Sequence, residues 1–249
     1  MNETSPSPVI VVTGAARRVG AEIARQLHAA GARLVLHYRR SAEEADRLAA
    51  TLDEARPGSA WTWCGDLGCD GVPEALADAA LDHFGRIDGL VNNASSFFPT
   101  PLGTIDRAAW DDLVGSNLKG PLFLSQALAD ELRARRGAIV NIVDIHAERP
   151  LRNYPLYSVA KAGLAGLTRA LALELAPEVR VNGVAPGPIE WPEDGQFPAA
   201  EREQIVRHTL LQREGSPADI ARTVRFLMFD APYVTGQILA VDGGRSAHL

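Results

Sequence analysis

Tyr157 and Lys161 stand four residues apart in the segment Tyr157-Ser-Val-Ala-Lys161. On a helix that spacing places both side chains on one face, so a phenol and an ammonium would point into the same space. A phenol ordinarily titrates at about pH 10, and it becomes a useful acid or base near neutrality when a positive charge lies beside it. Lys161 could supply that charge. The same spacing also occurs on solvated helices, so the surroundings of the pair decide its meaning. Thirteen residues upstream, Asp144 ends an apolar run, where its carboxylate could cap a loop or join the phenol.

These residues need a scaffold. Short β-branched runs alternate with longer helical stretches, the pattern of a parallel sheet with helices on both faces. Strands are predicted at residues 8–13, 33–38, 60–64, 89–93, 138–143, 179–184 and 237–241. Helices are predicted at 18–30, 72–84, 105–114, 118–136 and 154–175. A further helix starts in the capping-box spacing Ser41 to Glu44 and breaks at Pro57-Gly58, and another runs to 229 from the N-cap pair Ser216-Pro217. The expected fold is a Rossmann-type, doubly wound parallel sheet of about seven strands, in one domain over residues 1–249. The proline-rich stretch 188–212, with Trp191 and Phe197, reads as an irregular lid beside the site.

Composition narrows the function. The chain has 249 residues, 46% of them hydrophobic, enough for a substantial core. A net charge of -6 and a pI near 5.5 argue against nucleic acid or an anionic membrane as partner. Residues 1–8 lack a basic start and apolar run, and no later segment has the length of a membrane span, so a cytoplasmic location is expected. Cys64 and Cys69 read as structural and reduced, and no cysteine and histidine cluster suggests a metal.

The turn after the first strand, Thr13-Gly14-Ala-Ala-Arg-Arg18-Val19-Gly20, has glycines where a backbone must approach a pyrophosphate at a helix start. Arg18 occupies the place of the pattern's remaining glycine and could reach phosphate or substrate. The second strand ends without the carboxylate that NAD-specific enzymes offer to ribose hydroxyls. It continues instead as His37-Tyr38-Arg39-Arg40-Ser41, donors suited to a 2′-phosphate, so NADP(H) is the expected cofactor. Asp66 and Leu67 follow the third strand where an adenine would lie. Asn93 and Ala94, after the fourth, should pass near its ribose.

Together these features resemble the short-chain dehydrogenase/reductase superfamily, whose Tyr-x-x-x-Lys pair protonates the atom beside the one that receives hydride. The resemblance spans nearly the whole chain, through Asn92-Asn93-Ala94, Asn117, the Pro186-Gly187 turn and Asp242-Gly243-Gly244. Four further features are similar to the pteridine reductases in particular. They are Arg18 in the glycine turn, the segment His37 to Ser41, the run Asn92 to Phe97, and an aspartate, Asp144, where the superfamily usually has serine.

This resemblance implies a homotetramer that uses NADPH and reduces a pterin, or a folate as well. Asp144, Tyr157 and Lys161 would be catalytic, with Lys161 also holding the nicotinamide ribose near Pro186 and Gly187. Phe97 would stack on the pterin, Ser95 and Arg18 would bind its polar edge, and Tyr154 would line the opening. Asn117 either anchors a water chain towards Lys161 or packs its helix. His146 reads as a surface or packing residue. A general NADPH-dependent short-chain carbonyl reductase is the alternative, and an NADPH-binding regulator without turnover a third reading.

Overall fold

A computed structural model describes residues 7–191 and 197–247. Seven strands form one parallel sheet: β1 Val9–Val12, β2 Arg33–Tyr38, β3 Ala60–Cys64, β4 Gly89–Asn92, β5 Ala138–Ile142, β6 Arg180–Pro186 and β7 Ile238–Val241. Their order is β3-β2-β1-β4-β5-β6-β7. The chain winds outward from β1 to β3 and returns to β4 on the other side of β1. At such a reversal the connections leave in opposite directions and open a crevice at the strands' carboxyl ends. The doubly wound α/β fold is therefore present, and the crevice lies between the ends of β1 and β4.

β1, β4 and β5 are buried along their whole length. Covered on both faces, they read as unbroken apolar runs rather than as alternations. Side chains of successive strand residues point to opposite faces, and β1 divides accordingly. Ile10 and Val12 pack with Ile23 and Leu27 of α1 (Arg18–Ala29) and with Ile220 and Val224 of α9 (Pro217–Arg225). Val9 and Val11 pack on the other face with Leu76 of α3 (Val72–Phe84) and Leu124 of α5 (Gly120–Ala127). Each such side chain, fully buried, contributes about 1.5–3 kcal/mol.

Several boundaries differ from those expected. In α2 (Ala42–Ala55) the Ser41 side chain makes no capping hydrogen bond, so the predicted capping box does not form. The helices predicted at 105–114 and 118–136 are joined. α4 (Arg107–Val114) continues through a wide π turn, Gly115–Lys119, into α5, and α6 (Ala129–Arg135) follows. Pro121 lacks the N–H that an α turn would direct to the carbonyl four residues back, and a wider turn relieves that conflict. α7 spans Pro155–Glu174, and α9 opens on a capping box of Ser216 with Asp219.

The predicted lid contains a helix, α8 (Ala199–Arg207), where no element was expected. α8 buries no residue, so it has no apolar face and no periodic signature. Residues 192–196 of that stretch lie outside the described residues, as do residues 1–6 of the polar amino-terminal segment. Cys64 and Cys69 are exposed, not packed in the core. No helix among the described residues is long and apolar enough to cross a membrane.

Candidate active site

Asp144 follows β5 and caps a short 3₁₀ turn, Ile145–Ala147, with Oδ1 accepting the His146 N–H at 2.8 Å. Its other oxygen, Oδ2, accepts the Tyr157 hydroxyl at 2.7 Å. Pro155 begins α7, with its ring pre-set for a helix start. The next two turns bring Tyr157 and Lys161 onto the face turned towards β5. Lys161 is buried, 2% exposed, and its Nζ donates to the Ile142 carbonyl at 2.8 Å, 5.7 Å from the centre of the Tyr157 ring.

The electrostatics run against the simplest expectation from sequence. Burial and then the Asp144 charge hold the Tyr157 phenol well above its ordinary range, so it keeps its proton at neutral pH. Burial brings Lys161 down to about 8, with Asp144 acting in the opposite direction. The phenol therefore carries at neutral pH the proton that a general acid must hold, although burial and Asp144 make it a weaker donor than a free phenol.

Phe97 stands over this triplet. Its ring stacks on Tyr154 at 4.7 Å and meets Tyr157 edge-on at 4.8 Å. Tyr154 is buried behind Phe97 and supports it, and it does not line the opening as expected. The lid supplies two aromatic residues that the sequence left unassigned. Phe197 lies parallel to Phe97 at 6.3 Å, and Trp191 packs on Phe197 at 5.4 Å. Ser95 lines the same cavity and donates its hydroxyl to Asn117 Oδ1 at 2.7 Å. Asn117 sits in the π turn, fully buried, and its amide donates to the carbonyls of Ser96 and Leu113, both at 2.9 Å. It thus anchors the Ser95–Phe97 loop, while Lys161 finds its partner on β5.

The cavity, about 590 Å³, continues from this triplet to the β1–α1 turn and the end of β2. Gly14 has φ +62°, and a Cβ there would lie 2.9 Å from the Ala94 Cα; one at Gly20 would lie 2.1 Å from the Gly14 carbonyl oxygen. Asn93 draws the turn closer, its amide donating to the carbonyls of Thr13 and Gly14 at 2.9 and 3.0 Å. Arg18 takes the left-handed φ of +52° that the usual glycine would adopt freely, at about 1–2 kcal/mol of strain. Its guanidinium reaches across the cavity mouth to Glu190, with Nε 3.0 Å from Oε2 and Nη2 2.6 Å from the carbonyl oxygen. Arg17, Val19, Pro186 and Gly187 line this end too, and Arg17, like Glu190, was not anticipated.

His37 is placed behind the turn, not in the cavity. Its Nδ1 accepts the Gly14 N–H at 3.2 Å and Nε2 donates to the Gly65 carbonyl at 3.0 Å, which requires the neutral ring. Burial lowers it to about 4. Tyr38, Arg39, Arg40 and Ser41 do line the cavity. Asp66 and Leu67 do not; Leu67 is buried beneath Gly120, and Asp66 pairs with Arg39.

A floor without side chains, the amino end of the 12-residue α1 and basic residues at the end of β2 fit the pyrophosphate and ribose of a nicotinamide dinucleotide. Comparisons with known proteins agree. The sequence family described as Enoyl-(Acyl carrier protein) reductase matches residues 14–246. Pteridine reductase 1 of Leishmania tarentolae is 44% identical, covering 98% of each chain. A cis-4-hydroxycyclohexanecarboxylate dehydrogenase of Sinomonas cyclohexanicum is 39% identical over 99% of this chain and 100% of its own. A 3-oxoacyl-[acyl-carrier-protein] reductase of Synechocystis is 36% identical over 95% and 96%. With its sheet order, its glycine turn and its Tyr157–Lys161 pair, the chain is an oxidoreductase of the short-chain dehydrogenase/reductase superfamily and belongs to the pteridine reductase subfamily within it.

Proposed function

We propose that the protein is an NADPH-dependent pteridine reductase, acting on dihydropterins of the dihydrobiopterin or dihydromonapterin type and on dihydrofolate, as a cytoplasmic homotetramer. The observation that carries this reading is the 2.7 Å hydrogen bond from Tyr157 to Asp144. When bound, NADPH supplies hydride to the carbon of a C=N bond. Tyr157 gives its proton to the adjacent nitrogen, and a carboxyl proton drawn from solvent through Asp144 restores the phenol.

The superfamily's serine serves a different need, donating a hydrogen bond to a ketone oxygen as negative charge gathers there. An ionised aspartate has no proton to donate and would repel that charge. Protonation of an imine nitrogen leaves a neutral amine, so the site needs an acid beside it more than an oxyanion donor. Phe97, backed by Tyr154, offers a flat apolar face for a heteroaromatic ring, and Ser95 and Arg18 offer polar groups at its edge. Arg40 and Ser41, with no carboxylate in the NAD position, support NADPH over NADH. The name of the 44% identical relative points the same way.

Steady-state NADPH oxidation with dihydrobiopterin, dihydromonapterin, dihydrofolate and a panel of ketones tests the proposal. A dihydropterin is expected to give a kcat/KM at least about tenfold above any ketone, because a ketone would leave the carboxylate of Asp144 facing a developing oxyanion. A ketone that outpaces every pterin would establish the carbonyl reductase reading. No turnover on either panel would favour an NADPH-binding regulator.

A further inference from the structure

We propose that the neighbouring arginines Arg39 and Arg40 divide two tasks. Arg40, with Ser41, reads the cofactor's 2′-phosphate, while Arg39 acts through Asp112 to position the loop that carries Ser95 and Phe97. This assignment rests on the cofactor and substrate proposed above.

Arg39 Nη1 lies 3.1 Å from Asp112 Oδ1 on α4 and 3.4 Å from Asp66 Oδ2 after β3. A guanidinium shared by two carboxylates has little net charge left for a phosphate, and both carboxylates would repel one. Arg40 has no hydrogen bond or ion pair among the described residues, and it is exposed at the cavity edge. Ser41, freed from capping α2, lines the cavity beside it.

Asp112 also meets the loop at the substrate end. The same Oδ1 that meets Arg39 accepts the Ser96 hydroxyl at 2.5 Å. Ser96 is held at two further points, its N–H donating to Ser116 Oγ at 3.1 Å and its carbonyl accepting from Asn117 at 2.9 Å. Its neighbours on either side are the cavity residues Ser95 and Phe97. A three-point grip on one residue fixes the direction of both neighbours. Arg39 neutralises and orients the carboxylate that makes one of those points, so it is a positioning residue for substrate rather than a ligand of the cofactor.

The test uses the full-length chain and two readouts. Dissociation constants for NADPH and NADH come from ligand-binding titrations without turnover, and dihydropterin KM and kcat come from steady-state assays at saturating NADPH. Arg40→Ala is expected to lower the NADPH:NADH affinity ratio about tenfold or more, the effect of losing charge-assisted bonds to phosphate. Arg39→Ala is expected to keep that ratio within about threefold and to raise dihydropterin KM about fivefold, with kcat changed less. Asp112→Asn should raise KM similarly from the other end, and Arg39→Lys, which keeps a donor for Asp112, should recover most of the loss. The double variant Arg39→Ala with Asp112→Asn should be no worse than either alone.

If Arg39→Ala collapses the affinity ratio as Arg40→Ala does, Arg39 is a phosphate ligand and the division of tasks fails. An unmoved KM in both Arg39→Ala and Asp112→Asn overturns the positioning role. A wild-type chain that reduces no pterin would sink the proposed function and, with it, the substrate-positioning role of Arg39, while the affinity ratios would still show which arginine reads the phosphate.

Discussion

In the proposed reaction Tyr157 gives up a proton, and the Asp144 carboxyl, 2.7 Å away, is placed to return it. Asp144 also caps the turn at His146, so its contribution to catalysis must be separated from its contribution to shape. Asp144→Asn separates them. An amide oxygen can still accept one of those hydrogen bonds, but an amide does not ionise near neutrality and cannot relay a proton to the phenol. Dihydropterin kcat is expected to fall about 100-fold, the lower end of what a positioned acid–base group contributes. Circular dichroism and the thermal midpoint should stay close to wild type. Wild-type turnover in this variant would reduce Asp144 to a cap and return the proton-supply role to water. The same geometry explains why Lys161 does less for the phenol than its spacing suggests. Its amine is tied to the Ile142 carbonyl and lies 5.7 Å from the centre of the Tyr157 ring, whereas Asp144 touches the hydroxyl.

Among the elements, the β1–α1 turn has the most particular support. Its Gly14 N–H is accepted by His37 of β2, whose folded-state value of about 4 lies below the ordinary 6.5 of histidine. A depressed histidine leaves the folded state with fewer bound protons than the unfolded chain. The stability it contributes is therefore intact above about pH 6.5 and is lost as pH falls towards 4. Between about pH 7.5 and about pH 5 the expected loss is about 2 kcal/mol from this residue. Urea unfolding at the two pH values measures it, and His37→Gln, which cannot titrate, should lose correspondingly less. Equal acid losses in the two proteins would show that His37 is not the group that titrates. The sequence made this turn legible but not its support. Gly14, Arg18 and Gly20 announce a phosphate turn by type and spacing, and the buried strands announce themselves as apolar runs. In the run His37 to Ser41, by contrast, every residue is a potential donor. Only the alternation along β2, which sends His37 and Tyr38 to opposite faces, could have separated the buried ring from the cavity residues. α8 was illegible because it buries nothing, and the π turn at Gly115–Lys119 because one extra residue breaks the helical period. Tyr154 was misplaced because an aromatic residue that lines a pocket and one that supports its lining look alike in sequence.

At the scale of the whole molecule, α7 presents two different faces. Tyr157, Lys161, Leu164 and Thr168 are buried against the sheet, while Val159, Ala162, Gly166 and Leu173 lie on the outside. Val159 is 56% exposed and Leu173 81%, and a Cβ at Gly166 would meet nothing within 4 Å. An open face of mostly small and apolar residues on a long helix, interrupted by exposed Arg169, is suited to close approach by a second helix. A second apolar group lies at the end of α9, which covers the opposite face of the sheet from α7, where Phe226 is 43% exposed and Tyr233 is fully exposed. One self-complementary patch makes a dimer, whereas two independent patches allow a tetramer with dihedral symmetry. Light scattering at micromolar concentration should therefore give a mass of about four times the 26.7 kDa chain. Val159→Arg places a charge in the α7 stripe and is expected to shift the protein to a smaller species. Because Val159 is two residues from Tyr157, the same change should lower dihydropterin kcat as α7 loses its outer support. A monomeric wild type would refute the assembly outright. A tetramer that tolerates Val159→Arg would place its interfaces elsewhere and leave the open face of α7 unexplained.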